Sequence, residues 1–477
     1  MSLFEHMRLH FSLQRFSQLC LPVLFTALAI AYFKYHYTSL PPSMPSQSSP
    51  QEVASSLLAE KGLDVISLTL LQSLWAGYGQ ICRIEACPRK PPLFNERDST
   101  LKDSTKPTSQ DTHSYILKLI TPPPTKRNNE GHTRKILSYR IEQYFYTHLA
   151  PQMPASIPVA KCFSSINEPN PDGTSTTAMI LTDLKQEFPL AGEKRAALTP
   201  TQTLAALDWL SNFHGFWWSR VHTFDSDELV LPPLEQIKRS SSNDQTNQSI
   251  WLNGGYTYLA TRLDEYANLA SDTDSEWSEI LTTPPPNSTS NLSLAQLVAN
   301  FLTPSPPNAT TSNDQTPISK YQTLIHGDVK SENLFTTAAS PSTSVAFYDF
   351  QYVGLGLGVS DLAKFFTCSV PLSMLLSPGK STSAPRELAM QSGERELLER
   401  YWKNLVSNSG DGDGGEGGDG REYEWEVFVA HWEVALVDWL RFQASWGFWG
   451  NTQWLEARVR WVLKEGRVGE TVLGPGR

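Results

Sequence analysis

The sequence has few cysteines and no excess of basic residues, and both shortages restrict the functions open to it. Its 477 residues include 5 cysteines, an odd number, and no pair has a metal-ligand spacing with histidine partners. A disulfide-stabilised scaffold is therefore disfavoured. Lys and Arg number 39 against 49 for Asp and Glu, which gives a net charge of -10. This balance argues against a general nucleic-acid binder, because such a protein needs a basic surface that displaces counterions.

One long apolar run lies near the N-terminus. Residues 19–33 (LCLPVLFTALAIAYF) carry no charge, and aromatic residues extend the run over residues 16–37. A membrane-spanning helix needs ~20 apolar residues. Residues 1–40 are therefore predicted to contain a transmembrane helix, which anchors the rest of the chain on the cytosolic or mitochondrial-matrix side of a membrane. The alternative is a targeting segment whose removal leaves a soluble protein.

Composition divides the remainder of the chain. Residues 41–66 are predicted to form a Pro/Ser-rich linker and a short helix. Polar segments rich in Ser, Pro, Asn or Gly predict disordered loop insertions near residues 89–111, 240–249, 282–319 and 407–420. Strand-like runs occupy residues 67–74, 81–86, 115–120 and 178–181, and helix-like runs occupy residues 134–149, 201–218 and 256–269. This order predicts an α+β chain with a sheet-containing lobe at 67–184 and a helical lobe at 185–477.

The segment HGDVKSENLF carries the strongest chemical signal. Asp328 is followed five residues later by Asn333, and apolar strands flank the loop. In phosphate transfer an aspartate accepts a proton from, or orients, the substrate hydroxyl, while an amide oxygen holds magnesium without adding charge. Asp328 and Asn333 fit these two roles. Lys330 is a candidate for contact with the transferred phosphate, although a solvated loop lysine is nearly as plausible from the sequence.

A second aspartate follows the loop at the end of an apolar strand. Asp349 lies in VAFYDFQ, and it would complete a set of hard oxygen ligands for magnesium together with Asn333. Taken alone, such an aspartate is more often the cap of a turn.

HGDVKSENLF followed by FYDFQYVGLGLGVSDLAKFF resembles the aminoglycoside phosphotransferase and choline kinase group, and more narrowly the ecdysteroid-kinase-like (CHK kinase-like) proteins. The resemblance implies a bilobal protein-kinase-like fold, with a small N-lobe built on an antiparallel sheet and a larger helical C-lobe. It also implies ATP and Mg²⁺ as cofactors and a small molecule with a hydroxyl group as substrate. Gly327 and Gln351 depart from the protein-kinase pattern, so a protein substrate is disfavoured. Asp361, in SDLAKF, matches the aspartate that braces the catalytic loop in this group.

The same resemblance implies a nucleotide site in the N-lobe. Gly77 and Gly79 would let the backbone approach the triphosphate. Lys118 would pair with the α- and β-phosphates and with Glu142, whereas Glu130 is a poorer partner because it is predicted to lie in a polar loop before the helix.

The hinge between the lobes would bind adenine through its backbone, at Thr182, Asp183 and Leu184. His214 is interpreted as a core histidine near the catalytic loop, and not as a base.

Besides the protein kinase, one interpretation differs from an active small-molecule kinase. It is a catalytically silent kinase-fold module that serves as a scaffold at a membrane; the presence of every essential residue type argues against it.

The aromatic residues of the C-terminal helices have two interpretations of their own. They could line a substrate pocket, but they are better explained as core packing. Within these helices, Asp438 and Arg441 predict an ion pair on a helix surface.

Overall fold

The computed structural model describes residues 49–89, 112–123, 129–169, 175–240, 249–286, 288–306, 318–338, 343–379, 385–408 and 422–473. Residues 50–477 group into one unit by their contacts. The predicted membrane anchor lies outside the described residues. Within the described ranges, none of the helices combines the length and the apolar character that crossing a membrane requires.

The N-lobe is an antiparallel sheet covered by a helix. Its elements are α1 (Pro50–Ala59), β1 (Leu63–Ser73), β2 (Gly79–Pro88), β3 (His113–Ile120), α2 (Glu130–Tyr144), β4 (Cys162–Pro169) and β5 (Ser175–Thr182). The strand order is β1-β2-β3-β5-β4. Helix α1 buries Ala54 and Leu58 against alternate side chains of the sheet, including Ile84 and Leu117. Because its apolar face closes this core, α1 packs as part of the N-lobe.

Most of the C-lobe is helical, and short strands flank the segments 326–333 and 348–353. Its elements in chain order are β6 (Leu190–Ala191), α3 (Pro200–Trp218), α4 (Pro233–Ser240), α5 (Leu263–Ser271), α6 (Glu276–Thr282), α7 (Leu294–Leu302), β7 (Thr323–Ile325), β8 (Leu334–Thr336), β9 (Val345–Phe347), β10 (Gly354–Gly356), α8 (Gly358–Cys368), α9 (Leu372–Leu375), α10 (Ser392–Asn408), α11 (Trp425–Trp446), α12 (Thr452–Lys464) and α13 (Arg467–Leu473). Strand β7 pairs with β10, and β8 pairs with both β6 and β9.

Helices α3, α8 and α11 pack around these strands in one apolar core. Large aromatic side chains dominate this core; Trp217, Trp432 and Trp454 are almost completely buried. The aromatic residues of the C-terminal helices therefore serve mainly as packing, in agreement with the more conservative of the two interpretations. Such a core holds the segments between these strands rigidly because close-packed side chains leave little room for movement.

Three helices show how the structure differs from the sequence prediction. Helix α7 lies inside the segment 282–319 that was predicted to be a disordered insertion; its first turn is capped by reciprocal hydrogen bonds between Ser293 and Gln296. Helix α5 begins at Leu263 and not at residue 256. Helix α2 begins at Glu130, where the Asn129 side chain caps it, so Glu130 lies in the first helical turn and not in a loop.

Residue His431 of α11 makes stability depend on acidity. Burial lowers its pKa to about 4, from an ordinary value near 6.5. Between these values the unfolded chain binds a proton that the folded chain does not, so stability falls as the pH is lowered through this window. We expect this residue alone to remove about 2 kcal/mol of unfolding free energy between pH 7 and pH 5.

Chemical denaturation of the wild type and of His431→Gln at both pH values measures this effect. Glutamine does not titrate, yet it keeps a group able to hydrogen-bond the Tyr423 hydroxyl, which lies 2.6 Å from Nδ1 of His431. An identical loss of stability in both proteins would contradict the assignment.

Candidate active site

The catalytic segment begins with a tight turn that requires glycine. Gly327 follows β7 and has a φ of +80°. A Cβ at this position would lie 2.4 Å from the carbonyl oxygen of Tyr352 and 2.6 Å from the amide nitrogen of Gly255. Both neighbours are backbone atoms, which cannot move aside as a side chain can. The glycine that distinguishes this loop from that of protein kinases is therefore imposed here by local packing.

Asp361, in the first turn of α8, braces the loop as predicted. Its carboxylate accepts hydrogen bonds from the backbone amides of His326, at 2.8 Å, and Gly327, at 2.9 Å. Its Oδ2 also lies 3.2 Å from Nε2 of His214, whose Nδ1 is 2.7 Å from the hydroxyl of Tyr401. His214 is completely buried within this chain of hydrogen bonds. It is thus a core histidine that positions Asp361, in agreement with its interpretation.

Two ammonium groups surround the carboxylate of Asp328. Lys364 of α8 donates a short hydrogen bond to Oδ1. Lys330 lies 3.1 Å from Oδ2 and 3.4 Å from a carboxylate oxygen of Glu332. The side-chain nitrogen of Asn333 also donates to Oδ2, at 3.0 Å. The structure therefore brings together Asp328, Lys330 and Asn333, and it adds Lys364, which the sequence analysis did not single out.

This arrangement fixes the charge of Asp328. Burial alone would raise its pKa, but the charges of Lys364 and Lys330 and their hydrogen bonds outweigh that effect and hold the pKa well below its ordinary value. Asp328 is consequently ionised at neutral pH and a weak base. Such a carboxylate is suited to orient a hydroxyl throughout the reaction and to take its proton only as the new bond forms.

In the N-lobe, Lys118 lies between two carboxylates. Its ammonium group is 2.5 Å from Oε2 of Glu142 and 3.3 Å from Oδ1 of Asp349. Burial disfavours the charge on Lys118, yet the two carboxylates outweigh it and raise its pKa above the ordinary value. The predicted ion pair between Lys118 and Glu142 is present. Glu130 pairs instead with Arg134, at 3.2 Å, four residues along the same helix.

A chain of side chains joins helix α2 to Asp349. The hydroxyl of Ser138 lies 3.2 Å from Oε1 of Gln351, and Nε2 of Gln351 donates to Oδ1 of Asp349 at 2.6 Å. Asp349 has a φ of +68°, a conformation uncommon for a residue with a side chain. Two contacts from the N-lobe helix, through Glu142 with Lys118 and through Ser138 with Gln351, thus converge on one carboxylate.

Asn333 and Asp349 lie at the same end of the ladder formed by β8 and β9. The backbone amide of Tyr348 donates to the carbonyl of Asn333 at 3.0 Å, which places the residues beside each other. The side-chain nitrogen of Asn333 donates hydrogen bonds to the carbonyl and the carboxylate of Asp328. The side-chain oxygen of Asn333 is therefore the atom that could bind a metal ion. A carboxylate with an amide oxygen fits Mg²⁺, which prefers few protein oxygens and completes its shell with phosphates and water. No cluster of three or more His, Cys, Asp or Glu ligands occurs in the described ranges.

Glycine is required at Gly79 and at Gly77 for different structural reasons. A Cβ at Gly79 would lie 2.0 Å from the carbonyl oxygen of Leu119, so this glycine allows β2 to approach β3 closely. Gly77 has a φ of +73° with open space around its Cα. It lies in the short 3-10 turn Trp75–Gly77 between β1 and β2. Of the two, only Gly77 has the open surroundings that a bound phosphate would require.

At the predicted hinge, the side chain of Asp183 has a structural role. Its carboxylate accepts hydrogen bonds from Nε of Arg83, at 2.7 Å, and from the hydroxyl of Ser114, at 2.8 Å. The backbone amide of Thr182 donates to the carbonyl of Lys161 at 3.0 Å. The amide of Thr182 is therefore already engaged within the chain.

The ion pair of Asp438 with Arg441 is present, but the prediction that it lies on a helix surface is wrong. The side chain of Arg441 is completely buried, and its Nη2 donates both to Asp438, at 2.8 Å, and to the carbonyl of Thr257, at 2.5 Å. The segment that contains Thr257 covers this part of α11. Asp438 instead lines a cavity next to the catalytic loop.

Removal of the Lys118 charge has a predictable cost. In Lys118→Met the Glu142 carboxylate, 2% exposed, loses its partner. We expect the unfolding free energy to fall by about 3 kcal/mol, because an unpaired buried charge is costly. The double variant Lys118→Met/Glu142→Leu should regain most of this loss without regaining nucleotide affinity. Lys403→Met is the matched control, since its pair with Glu399 is exposed and worth about 0.5 kcal/mol or less.

Denaturation curves and ATP titrations of the four proteins provide the measurement. Equal stability of Lys118→Met and Lys403→Met would contradict the assigned burial of the pair.

Comparison with known proteins identifies the family of the chain. Residues 99–380, more than half of the chain, match the model of the ecdysteroid kinase-like family. Solved structures similar to the chain include a microcompartment-associated aminopropanol kinase, with 12% identity over 88% of this chain and 99% of that one at a TM-score of 0.34. Another is the Plasmodium vivax ethanolamine kinase, which is 10% identical over 91% of this chain and 92% of its own, at a TM-score of 0.34.

A third is the choline kinase LicA from Streptococcus pneumoniae, which is 11% identical over 86% of this chain and 94% of its own, at a TM-score of 0.31. Similarity at this level says nothing about the substrate. None of the proteins of curated function matches the sequence. The family match extends from the N-lobe through the catalytic loop and Asp361, and on that ground the chain belongs to the ecdysteroid kinase-like family.

Proposed function

We propose that this protein is an ATP- and Mg²⁺-dependent phosphotransferase that acts on a hydroxyl group of a small molecule. The proposal rests on the convergence of two pairs of side chains. Nζ of Lys118 lies 3.3 Å from Oδ1 of Asp349, and the hydrogen-bonded pair of Asp328 and Asn333 lies at the adjoining end of β8. Together they provide a cation for nucleotide phosphates, oxygen ligands for a metal and a carboxylate for the acceptor. These are the groups that phosphoryl transfer requires.

In this mechanism the chain mainly positions the nucleotide and the acceptor and neutralises the charge of the phosphates. Bound Mg²⁺, held by Asn333 and Asp349, would supply charge neutralisation at the phosphates. Lys118 holds the α- and β-phosphates, and the backbone of Asp183 and Leu184 receives adenine. Asp328 orients the acceptor hydroxyl and takes its proton late. Lys330, whose side chain is 26% exposed, is near enough to Asp328 to contact the transferred group.

A silent module is the alternative, and a direct assay separates the two. The full-length chain is incubated with γ-labelled ATP, Mg²⁺ and a metabolite extract, beside Asp328→Asn. A labelled small molecule made only by the wild type supports the kinase. If both folded proteins bind ATP and neither labels any compound, the proposal is rejected for the acceptors in that extract, and the silent module becomes the better account.

A further inference from the structure

Helix α8 holds the catalytic loop at two points, one helical turn apart. At the first, Asp361 accepts hydrogen bonds from the backbone amides of His326 and Gly327. At the second, Lys364 donates to Oδ1 of Asp328. Residues three positions apart lie on the same side of a helix, so one face of α8 contacts both the backbone and the side chain of this loop. Nearly every residue of α8 is buried, and the helix therefore gives the loop a fixed support.

The ammonium group of Lys364 is enclosed on several sides. Its side chain is only 4% exposed, and Asp328 is its sole ion-pair partner among the described residues. Nζ lies 4.6 Å from the ring centre of Tyr256 and 5.5 Å from that of Trp439. Aromatic faces stabilise a desolvated cation, but they do not replace a hydrogen-bonded carboxylate. Separation of Lys364 from Oδ1 would therefore leave a buried charge without its counterion, which is costly.

Lys330, at the other oxygen of Asp328, is held much less firmly. Its Nζ lies 3.1 Å from Oδ2, but its side chain is 26% exposed, and it also lies 3.4 Å from Oε1 of Glu332. When Lys330 leaves Oδ2 it keeps this second carboxylate and gains contact with water, so the exchange costs little. Of the two lysines on Asp328, Lys330 is thus the one that another donor can replace.

We propose that Lys364 is a positioning residue, which holds Oδ1 of Asp328 so that Oδ2 receives the acceptor hydroxyl at the place that Lys330 leaves. The inference rests on the proposed function. In it, Lys330 moves toward the negative charge of the γ-phosphate. As the acceptor oxygen bonds to the γ-phosphorus and the bond from that phosphorus to ADP breaks, the hydroxyl proton passes to Oδ2. Without Lys364 the carboxylate can rotate about its Cβ–Cγ bond, and Oδ2 is no longer fixed.

Steady-state kinetics with the acceptor identified by the labelling assay test the role of this charge. Lys364→Met keeps an unbranched apolar side chain and removes the ammonium group. We expect kcat to fall at least about thirtyfold, because a misplaced reacting group is costly, while KM for ATP changes less than about threefold. Lys403→Met is the matched control, since its pair with Glu399 is exposed and its kcat should equal that of the wild type.

Chemical rescue separates positioning from a purely structural role. Lys364 lines a cavity of about 420 Å³, through which a small molecule can reach the space that the side chain leaves. In Lys364→Ala, n-propylammonium replaces the atoms lost beyond Cβ. We expect saturating n-propylammonium chloride to raise kcat of this variant at least about tenfold, and 1-propanol or sodium chloride at the same concentration to leave it unchanged. The wild type and Lys403→Met should not respond to the amine.

A crystal structure of the wild type with Mg²⁺ and adenylyl imidodiphosphate, a non-hydrolysable ATP analogue, gives a test that does not depend on the folding of any variant. We expect Nζ of Lys364 to remain within hydrogen-bond distance of Oδ1 of Asp328. Nζ of Lys330 should lie more than about 4 Å from Oδ2, beyond the range of an ion pair.

Three results would each overturn the inference. They are a wild-type kcat in Lys364→Met, a rescue by propanol as large as that by propylammonium, and a complex in which Lys364 has left Oδ1 or Lys330 is still on Oδ2. If the wild type binds the analogue but transfers phosphate to no compound, the proposed function fails instead. The positions of the two lysines in the complex then decide alone whether Asp328 is held as inferred.

Discussion

Replacement of Asp328 by Asn is expected to lower the rate of phosphate transfer by about a thousandfold or more. Asparagine keeps the shape of the side chain, but it cannot take the proton of the acceptor hydroxyl. The change also removes the negative charge that holds Lys364 and Lys330 in place. ATP affinity should change little, because the nucleotide contacts assigned to Lys118 and to the hinge are on the other lobe.

Steady-state rates with the identified acceptor, together with ATP titrations, measure this separation. Asp64→Asn is the matched control: its pair with Arg89 is also an aspartate ion pair, yet both side chains are 51% exposed, so its loss should leave the rate unchanged. If Asp328→Asn retained the wild-type rate, Asp328 would have no catalytic role. A parallel loss of ATP binding and of folding would mean that the aspartate acts mainly through stability.

Substitution of Gly327 by Ala is expected to lower the unfolding free energy by about 4 kcal/mol. The positive φ costs about 1–2 kcal/mol for any residue with a Cβ. The collision with the backbone of Tyr352 and Gly255 adds about 1–3 kcal/mol, because it displaces the catalytic loop. Transfer activity should be lost even in the fraction that folds, since Asp328 is the next residue.

Gly466→Ala separates the two costs. Gly466 has a φ of +72°, close to that of Gly327, but a Cβ there would meet nothing within 4 Å. This control should therefore lose only about 1–2 kcal/mol and keep full activity. Equal losses in the two variants, measured by chemical denaturation, would show that the close approach of the backbone does not matter.

The candidate catalytic residues could be predicted from the sequence because the pattern that identifies them lies within a short stretch of the chain. Asp328, Asn333 and Asp349 lie within a few residues of short apolar strands, and the loop spacing is dictated by the chemistry that it serves. Helix α7 was also locally encoded, through the Ser293–Gln296 capping box and the run LAQLVANFL. It was missed because the surrounding Ser, Thr, Asn and Pro dominate the composition of the longer segment.

Other features depend on contacts between distant segments, which no local pattern reveals. Lys364 lies in a helix that is buried on nearly all sides, and only the packing of α8 beside the catalytic loop brings its ammonium group to Asp328. Strand β4 was not predicted either, since its residues 162–169 gain their strand character from pairing with β5. The burial of Arg441 likewise results from coverage by the segment around Thr257, remote in sequence.

The two links from helix α2 to Asp349 have a thermodynamic consequence. Any outward displacement of this helix breaks the contact of Lys118 with Glu142 and the contact of Ser138 with Gln351 at the same time. In the proposed kinase, the cation for the phosphates and the orientation of the carboxylate proposed to bind the metal are then lost together. Nucleotide and metal should consequently each raise the affinity for the other by the same factor, as reciprocity of binding requires. The protein would thus respond to the concentration of the magnesium–nucleotide complex and not to either component alone.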